Sequence, residues 1–137
     1  MKIPNDIKYV RKISAEIENF LKSKNADDSL IFDVRLSVEE ALKNAIIHGN
    51  ENKKDLGVFV SYSLDGDRLR IEIEDEGKGF KPGSVPDPTR EENLTMTGGR
   101  GVFLVQRLMD EVTYNNKGNK VIMVKSIDRK KGGYDAC

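Results

Sequence analysis

A pair of neighbouring segments with strand-like composition limits the possible folds of this chain most. The segment LGVFVSYSL is rich in residues that favour strands, and RLRIEIED alternates apolar and polar side chains. Between them, the residues DGD at 65–67 form a hairpin turn signal. The alternation puts three apolar side chains on one face of the second strand: Leu69, Ile71 and Ile73. The pattern therefore predicts an antiparallel hairpin with one buried face.

Two helices are predicted before the hairpin. The first follows Pro4, with Asn5 or Asp6 as its cap. Its apolar residues recur at helical spacing: Ile7, Val10, Ile13, Ile17, Phe20 and Leu21. The second helix is predicted from about Leu30 to about His48, where Gly49 is a good terminating residue.

A further helix and two strands are predicted after the hairpin. The helix covers GVFLVQRLMDEV, the strands cover VTYNN and KVIMVKSI, and a turn lies near Lys117 and Gly118. Because strands and helices do not alternate strictly, the order favours an α+β fold. We expect a two-layer α/β sandwich with a mostly antiparallel mixed sheet and helices on one face. Residues 1–128 should form this single domain, and 129–137 a flexible tail.

Composition excludes several classes of protein. Of the 137 residues, 37 % are hydrophobic and 34 % charged, which indicates a folded globular chain. The formal net charge is zero, which argues against a general nucleic-acid or membrane-surface binder. Cys137 is the only cysteine, so no internal disulfide can form. No apolar run approaches the ~20 residues of a membrane span, and no signal-peptide pattern is present, so we expect a cytoplasmic location.

The second predicted helix carries polar residues beside its apolar stripe. Glu40, Asn44 and His48 follow one another at one-turn spacing, and apolar residues flank them. Such an edge suits the wall of a cleft, although the helix alone is more typical of a solvated Glu40 and of Asn44 as a tolerated polar residue within a helix. On another side of the helix, Glu39 and Lys43 have the spacing of an i, i+4 ion pair.

The end of the second hairpin strand points to a binding site. Asp75 follows Ile73 by two residues, so its carboxylate should lie on the buried face and needs a hydrogen-bond donor. The exocyclic amino group of a purine is such a donor. Gly77 and Gly79 would let the backbone approach a flat ligand closely. A plain turn after the strand is the alternative.

Glycines also precede the later predicted helix. Gly98, Gly99 and Gly101 stand where free N–H groups and the helix dipole favour an anion, although a hinge has the same composition. About 17 residues without periodicity separate the two glycine-rich motifs, which suits either a lid over a nucleotide or a disordered insert.

In this order, the motifs resemble those of the GHKL ATPase/kinase superfamily, which binds ATP in the Bergerat fold. The similarity rests on VEEALKNAIIHGN, IEDEGKGF and GGRGVFLVQRLMDEV. Within the superfamily, the chain looks most like the anti-sigma factor serine kinases of the RsbW and SpoIIAB type. The short single domain, the NAIIHGN ending and the LMDEV stretch carry this narrower likeness.

The resemblance implies roles for individual residues. Asn44 matches the asparagine that ligates Mg²⁺, and Glu40 the carboxylate that acts as catalytic base or orients the attacking hydroxyl. Asp75 matches the acceptor for the adenine amino group. Gly77 and Gly79 match the turn beside the adenine.

The phosphate side of the site departs from the family pattern. Gly99 and Gly101 match the glycines whose amides hold the phosphates. Thr97 stands where some members have an arginine, a role that Arg100 or Arg90 could take. Near the last turn, related chains often read Gly-Thr where this chain has Gly118 followed by Asn119, and asparagine could make a similar hydrogen bond to adenine.

The implied activity is transfer of the γ-phosphoryl group of Mg-ATP to a serine or threonine of a STAS-domain anti-anti-sigma protein. The same chain would bind a sigma factor as a homodimer. The departures leave open an alternative, a nucleotide-dependent partner-binding module with little or no kinase activity.

Overall fold

The computed structural model describes residues 1–77 and 104–128. It contains β1 (Lys2–Pro4), α1 (Lys8–Ser23), α2 (Asp28–Lys43), a π-helix (Asn44–Gly49), β2 (Gly57–Asp65), β3 (Arg68–Asp75), a helical turn at 104–108, β4 (Glu111–Tyr114) and β5 (Lys120–Ser126). The predicted lid and the predicted tail at 129–137 lie outside the described residues. In the parts described, no helix has the length and apolarity to cross a membrane.

The five strands form one sheet in the order β1-β2-β3-β5-β4. Each neighbouring pair is antiparallel, so the described sheet is not mixed. The predicted hairpin is present, with register from Val58 opposite Asp75 to Asp65 opposite Arg68. Gly66 turns it with a φ of 62°, a conformation that glycine adopts without strain. The α+β prediction is confirmed.

The core lies between one face of the sheet and the two long helices. Leu69 and Ile71 are fully buried on the predicted face of β3. Ile17 of α1 and Val38 of α2 are buried in the same apolar cluster. On the opposite face of the sheet, Phe59 is exposed. The helices therefore cover one face, as the alternation in β3 predicts.

Both long helices begin close to their predicted starts. Of the two predicted cap residues, Asp6 is the one that contacts the start of α1: it precedes the N-cap position Ile7 and accepts a hydrogen bond from the backbone N–H of Lys8 (3.0 Å). The second helix begins two residues before Leu30, because the side chain of Asp27 accepts from the backbone N–H of Ser29 (3.3 Å).

Two elements differ from the prediction. Strand β1 was not predicted, because three residues that include a proline carry no local signal and form a strand only by pairing with β2. The predicted helix over GVFLVQRLMDEV is too long, since its described part ends at 108. There the Nζ of Lys125 donates to the carbonyl of Leu108 (2.8 Å), and the backbone N–H of Asp110 pairs with Val124 (2.9 Å).

The end of the second helix widens into a π-helix over Asn44–Gly49, where a continuous α-helix was predicted. The backbone N–H of Asn50 donates to the carbonyl of Ala45, five residues earlier, over 2.7 Å. Single turns of this kind occur frequently at functional sites.

Candidate functional site

The end of the π-helix meets the end of β3. A Cβ atom on Gly49 would lie 2.9 Å from Oδ1 of Asp75 and closer still to Oδ2. Side chains do not tolerate such contacts, so only glycine lets the helix backbone pass the buried carboxylate. Gly49, predicted as a helix terminator, thus also forms one wall of the site.

Gly77 makes the second close approach. A Cβ on Gly77 would lie 2.6 Å from the carbonyl carbon of Gly49 and closer still to its oxygen. The backbone N–H of Gly77 donates to Oδ1 of Asp75 over 2.8 Å. Glycine at both positions therefore lets the two backbone segments pack against each other and against the Asp75 carboxylate, which fixes the carboxylate at this junction.

Asp75 is a buried acid, with 7 % of its surface exposed. Burial raises the pKa of its carboxyl group, and the Gly77 N–H and the charge of Lys117 partly oppose that rise. The prediction from alternation that Asp75 lies on the buried face is confirmed. Within residues 1–77 and 104–128, the Gly77 N–H donates to this carboxylate, whose two oxygens together offer about four acceptor sites and so retain acceptor capacity.

Asn119 lies directly beside Asp75. Its side-chain Nδ2 donates to the carbonyl of Asp75 (2.8 Å), and the backbone N–H of Asp75 donates to the carbonyl of Asn119 (2.9 Å). The Oδ1 of Asn119 accepts from Nδ2 of Asn115 (2.8 Å). One end of this amide therefore binds the backbone of Asp75 and the other binds the side chain of Asn115, and its direct contact with adenine stays a prediction.

Asn50 is a site residue that the sequence reasoning missed. It is fully buried, and its Oδ1 accepts from the backbone N–H of Glu76 (2.9 Å). Its Nδ2 donates to Oδ1 of Asn5 (3.0 Å) and to the carbonyl of Gly57 (2.9 Å). The sequence feature that could have indicated this role is the position of Asn50 directly after the helix-terminating Gly49, where the chain turns into the sheet.

Glu76 fixes the other side of the same turn. Its Oε1 accepts from the backbone N–H of Gly57 (2.6 Å) and lies 3.3 Å from Nζ of Lys2. The Gly57 hydrogen bond and then the Lys2 ammonium lower the pKa of the Glu76 carboxyl group. The start of β2, the end of β3 and β1 thus meet behind Asp75.

The helix side of the site is held more loosely. Glu40 and Asn44 are both half-buried, and Oε1 of Glu40 lies 3.7 Å from Nζ of Lys43. The predicted pairing of Lys43 with Glu39 is wrong. Glu39 instead accepts from the Ser14 hydroxyl (2.7 Å), because α1 packs against that side of α2.

The structure places four of the predicted site residues around the junction of the π-helix and β3. Asn44 begins the π-helix, whose other end, Gly49, contacts Asp75, while Gly77 and Asn119 border Asp75 directly. Glu40 lies one turn before Asn44 on α2. The remaining predicted site residues lie outside the described residues: Gly79, Gly99, Arg100 and Gly101.

The donors for a metal ion are few. Within 1–77 and 104–128, no group of three or more histidine, cysteine, aspartate or glutamate side chains is arranged to hold an ion. Asn44 offers one amide oxygen beside the junction. That donor fits Mg²⁺, which takes oxygen ligands and usually completes its shell with water and substrate phosphates.

Comparison with protein families identifies the class of this fold and site. A model described as the histidine kinase-like ATPase domain matches residues 3–125. The chain belongs to this family, which confirms the resemblance to the GHKL superfamily.

Curated relatives make the assignment more specific. The chain is 29 % identical to a serine-protein kinase RsbW of Staphylococcus aureus (strain bovine RF122 / ET3-1) and 30 % identical to one of Staphylococcus epidermidis. Each alignment covers 94 % of this chain and 86 % of the relative. The likeness to the RsbW type is thereby confirmed.

Solved structures support the fold. A Mycobacterium tuberculosis structure of RsbU and RsbW domains matches with a TM-score of 0.60 and 19 % identity, covering 95 % of this chain and 33 % of that one. The blue-light activated histidine kinase of Erythrobacter litoralis matches with a TM-score of 0.54 and 24 % identity, over 74 % of this chain and 32 % of that one. The chain thus spans about a third of the length of each of these solved chains.

Proposed function

We propose that this chain is an ATP-binding anti-sigma regulatory factor that transfers the γ-phosphoryl group of ATP to a STAS-domain anti-anti-sigma protein. The buried carboxylate of Asp75 between the bare backbones of Gly49 and Gly77 carries the proposal. Its remaining acceptor capacity suits the exocyclic amino group of adenine. The glycines at 49 and 77 let the end of the π-helix and the turn after β3 pack directly around this carboxylate. The RsbW kinases named above support the choice of reaction.

The helix wall supplies the groups for transfer. Asn44 would hold Mg²⁺ through its amide oxygen, and the ion would neutralise phosphate charge. Glu40 would orient the acceptor hydroxyl and take its proton as the new P–O bond forms and the bond to the β,γ-bridging oxygen breaks. ADP then leaves. Most of the catalysis would come from positioning and charge stabilisation. Gly79, Gly99, Arg100 and Gly101 would complete the nucleotide site.

The RsbW likeness also supports the proposed partners. The chain would bind a sigma factor as a homodimer in the cytoplasm and release it when the STAS-domain protein competes. Thr97 favours the second candidate function, a nucleotide-dependent binding module with little transfer, because it stands where some relatives have an arginine for the γ-phosphate.

Calorimetric titration with ATP, with and without Mg²⁺, tests the nucleotide site. The wild-type chain should bind ATP with Mg²⁺-dependent affinity. Asp75→Asn should weaken binding roughly tenfold or more, because the new amide presents a donor to the adenine amino group. A folded wild-type chain that shows no heat of binding with ATP would remove the proposal.

Phosphate transfer separates the two candidate functions. With labelled ATP and a STAS-domain protein as acceptor, Glu40→Gln should lower the transfer rate roughly 10²- to 10⁴-fold while ATP affinity is retained. Glu51→Gln, at an exposed glutamate, is the matched control and should transfer at the wild-type rate. If the wild-type chain binds ATP but transfers nothing, the binding-module function is correct.

A further inference from the structure

Asn50 joins three separate segments behind the nucleotide site. Its amide oxygen accepts from the backbone N–H of Glu76, and its amide nitrogen donates to Gly57 and to Asn5. With 0 % of its surface exposed, it makes these three bonds where water cannot replace them. Removing such a side chain leaves buried polar groups unpaired.

Asn5 extends the connection towards the N-terminal strand. It is 4 % exposed, its Oδ1 accepts from Asn50, and its Nδ2 donates to the carbonyl of Lys53 (3.0 Å). A continuous chain of hydrogen bonds therefore runs from the loop after β1, through Asn50, to the peptide that follows Asp75.

We propose that Asn50 is a positioning residue that sets the direction of the Asp75 carboxylate and so tunes base selectivity. The peptide group between Asp75 and Glu76 carries the N–H that Asn50 binds, and Asn119 holds the opposite carbonyl of that peptide. With both ends fixed, the peptide plane cannot rotate, and the Gly77 N–H stays aligned on Oδ1 of Asp75. The inference rests on the proposed recognition of adenine by Asp75.

Loss of Asn50 should therefore affect the base more than the phosphates. Adenine offers an amino group to Asp75, whereas inosine carries an oxygen at that position and gains nothing from a correctly directed carboxylate. A purely structural role would weaken the binding of both nucleotides equally, because it lowers only the fraction of folded chain. The ratio of the two affinities separates the roles.

The test measures the dissociation constants of Mg-ATP and Mg-ITP by calorimetry for the wild-type chain and Asn50→Ala. The wild-type chain should prefer ATP, and Asn50→Ala should reduce that preference roughly fivefold, the effect of about one hydrogen bond. An unchanged preference in the folded variant would overturn the positioning role.

A second variant keeps the test decisive if Asn50→Ala does not fold. Asn5→Ala removes one bond to Asn50 and leaves those to Gly57 and Glu76, so it should reduce the ATP preference in the same direction by roughly twofold. Ile17→Val, a core substitution in α1, is the control for lost stability and should leave the preference unchanged. An unchanged preference in folded Asn5→Ala would likewise overturn the role.

The result for the wild-type chain separates the proposed recognition of adenine by Asp75 from the proposed role of Asn50. A wild-type chain that binds both nucleotides equally would refute base recognition by Asp75 and the inference with it. A wild-type preference for ATP that survives in the variants would refute the role of Asn50 alone.

Discussion

The two walls of the proposed nucleotide site differ in how firmly their functional groups are held. The strand wall is the end of β3, where Asp75 is bounded by the backbones of Gly49 and Gly77. The side chains of Asn50 and Asn119 hydrogen-bond the peptide that follows Asp75. The helix wall is the end of α2 and the start of the π-helix, with Glu40 and Asn44. There the carboxylate of Glu40 is half-buried and lies 3.7 Å from the ammonium group of Lys43.

The difference matches the two tasks proposed for the site. Recognition of a rigid base gains from groups that are fixed before the ligand arrives, because no ordering cost remains. Transfer to a partner requires groups that can adjust to an ion, a triphosphate and an incoming hydroxyl. We therefore expect substitutions in the strand wall to act on affinity, and those in the helix wall to act on rate.

The largest effect should come from Gly77→Ala on the strand wall. The new Cβ would overlap the carbonyl of Gly49, and overpacking of this kind costs about 1–3 kcal/mol. We expect ATP affinity to fall roughly a hundredfold by titration. Gly66→Ala is the control: its Cβ meets nothing within 4 Å, so it should cost stability through its positive φ but leave ATP affinity intact. Equal losses of affinity in the two variants would contradict the tight contact.

Acid should weaken nucleotide binding through the same wall. Burial raises the pKa of Asp75, so the carboxylate proposed to accept from adenine becomes protonated at a higher pH than an exposed aspartate does. If Asp75 binds adenine as proposed, ATP affinity should fall about tenfold per pH unit below that pKa, measured by titration between neutral pH and the onset of unfolding. Asp75→Asn should lack this dependence.

The raised pKa of Asp75 affects the free energy of unfolding in the opposite direction to ATP affinity. The folded chain holds the Asp75 proton more tightly than the unfolded chain, so this group's contribution to the free energy of unfolding falls as pH rises through the raised pKa. In denaturant titrations, the free energies of unfolding of the wild-type chain and Asp75→Asn should converge below the raised pKa and diverge above it. A wild-type contribution that grows with pH in this window would contradict the burial argument.

Ser37→Ala should stabilise the helix wall by about 1 kcal/mol. The Ser37 hydroxyl is the one buried side-chain polar atom in the described residues without a hydrogen-bond partner, and alanine also favours the helix. Thermal unfolding should show a melting temperature higher by a few degrees, roughly. Ser14→Ala is the matched control and should destabilise, because the Ser14 hydroxyl donates to Glu39 and accepts from Arg35.

The smallest effect should come from Lys43→Ala. Its 3.7 Å contact with Glu40 is partly exposed, and such pairs contribute about 0–1 kcal/mol. Unfolding by denaturant should barely change, and ATP affinity should stay within about twofold of wild type. A large loss of affinity would show that Lys43, rather than a residue of the glycine-rich motif, contacts the phosphates.

Local pattern was sufficient for the elements with strong periodicity. The alternation in β3 placed Asp75 on the buried face, and the helical spacing placed Glu40 and Asn44 on one helix edge. Long-range contacts were not predictable in this way. Strand β1 exists only through its pairing with β2, and the role of Asn50 depends on Asn5 and Gly57 meeting in space.

The π-helix makes the number of residues at this point as important as their identity. The π-turn accommodates one residue more than an α-turn and so brings Gly49 to the carboxylate of Asp75. If the same six residues closed as an ordinary α-helix, Gly49 would rotate by about 100° around the helix axis and leave that carboxylate. Homologous chains that keep this junction should therefore have either a π-turn here or an ordinary α-helix that is one residue shorter.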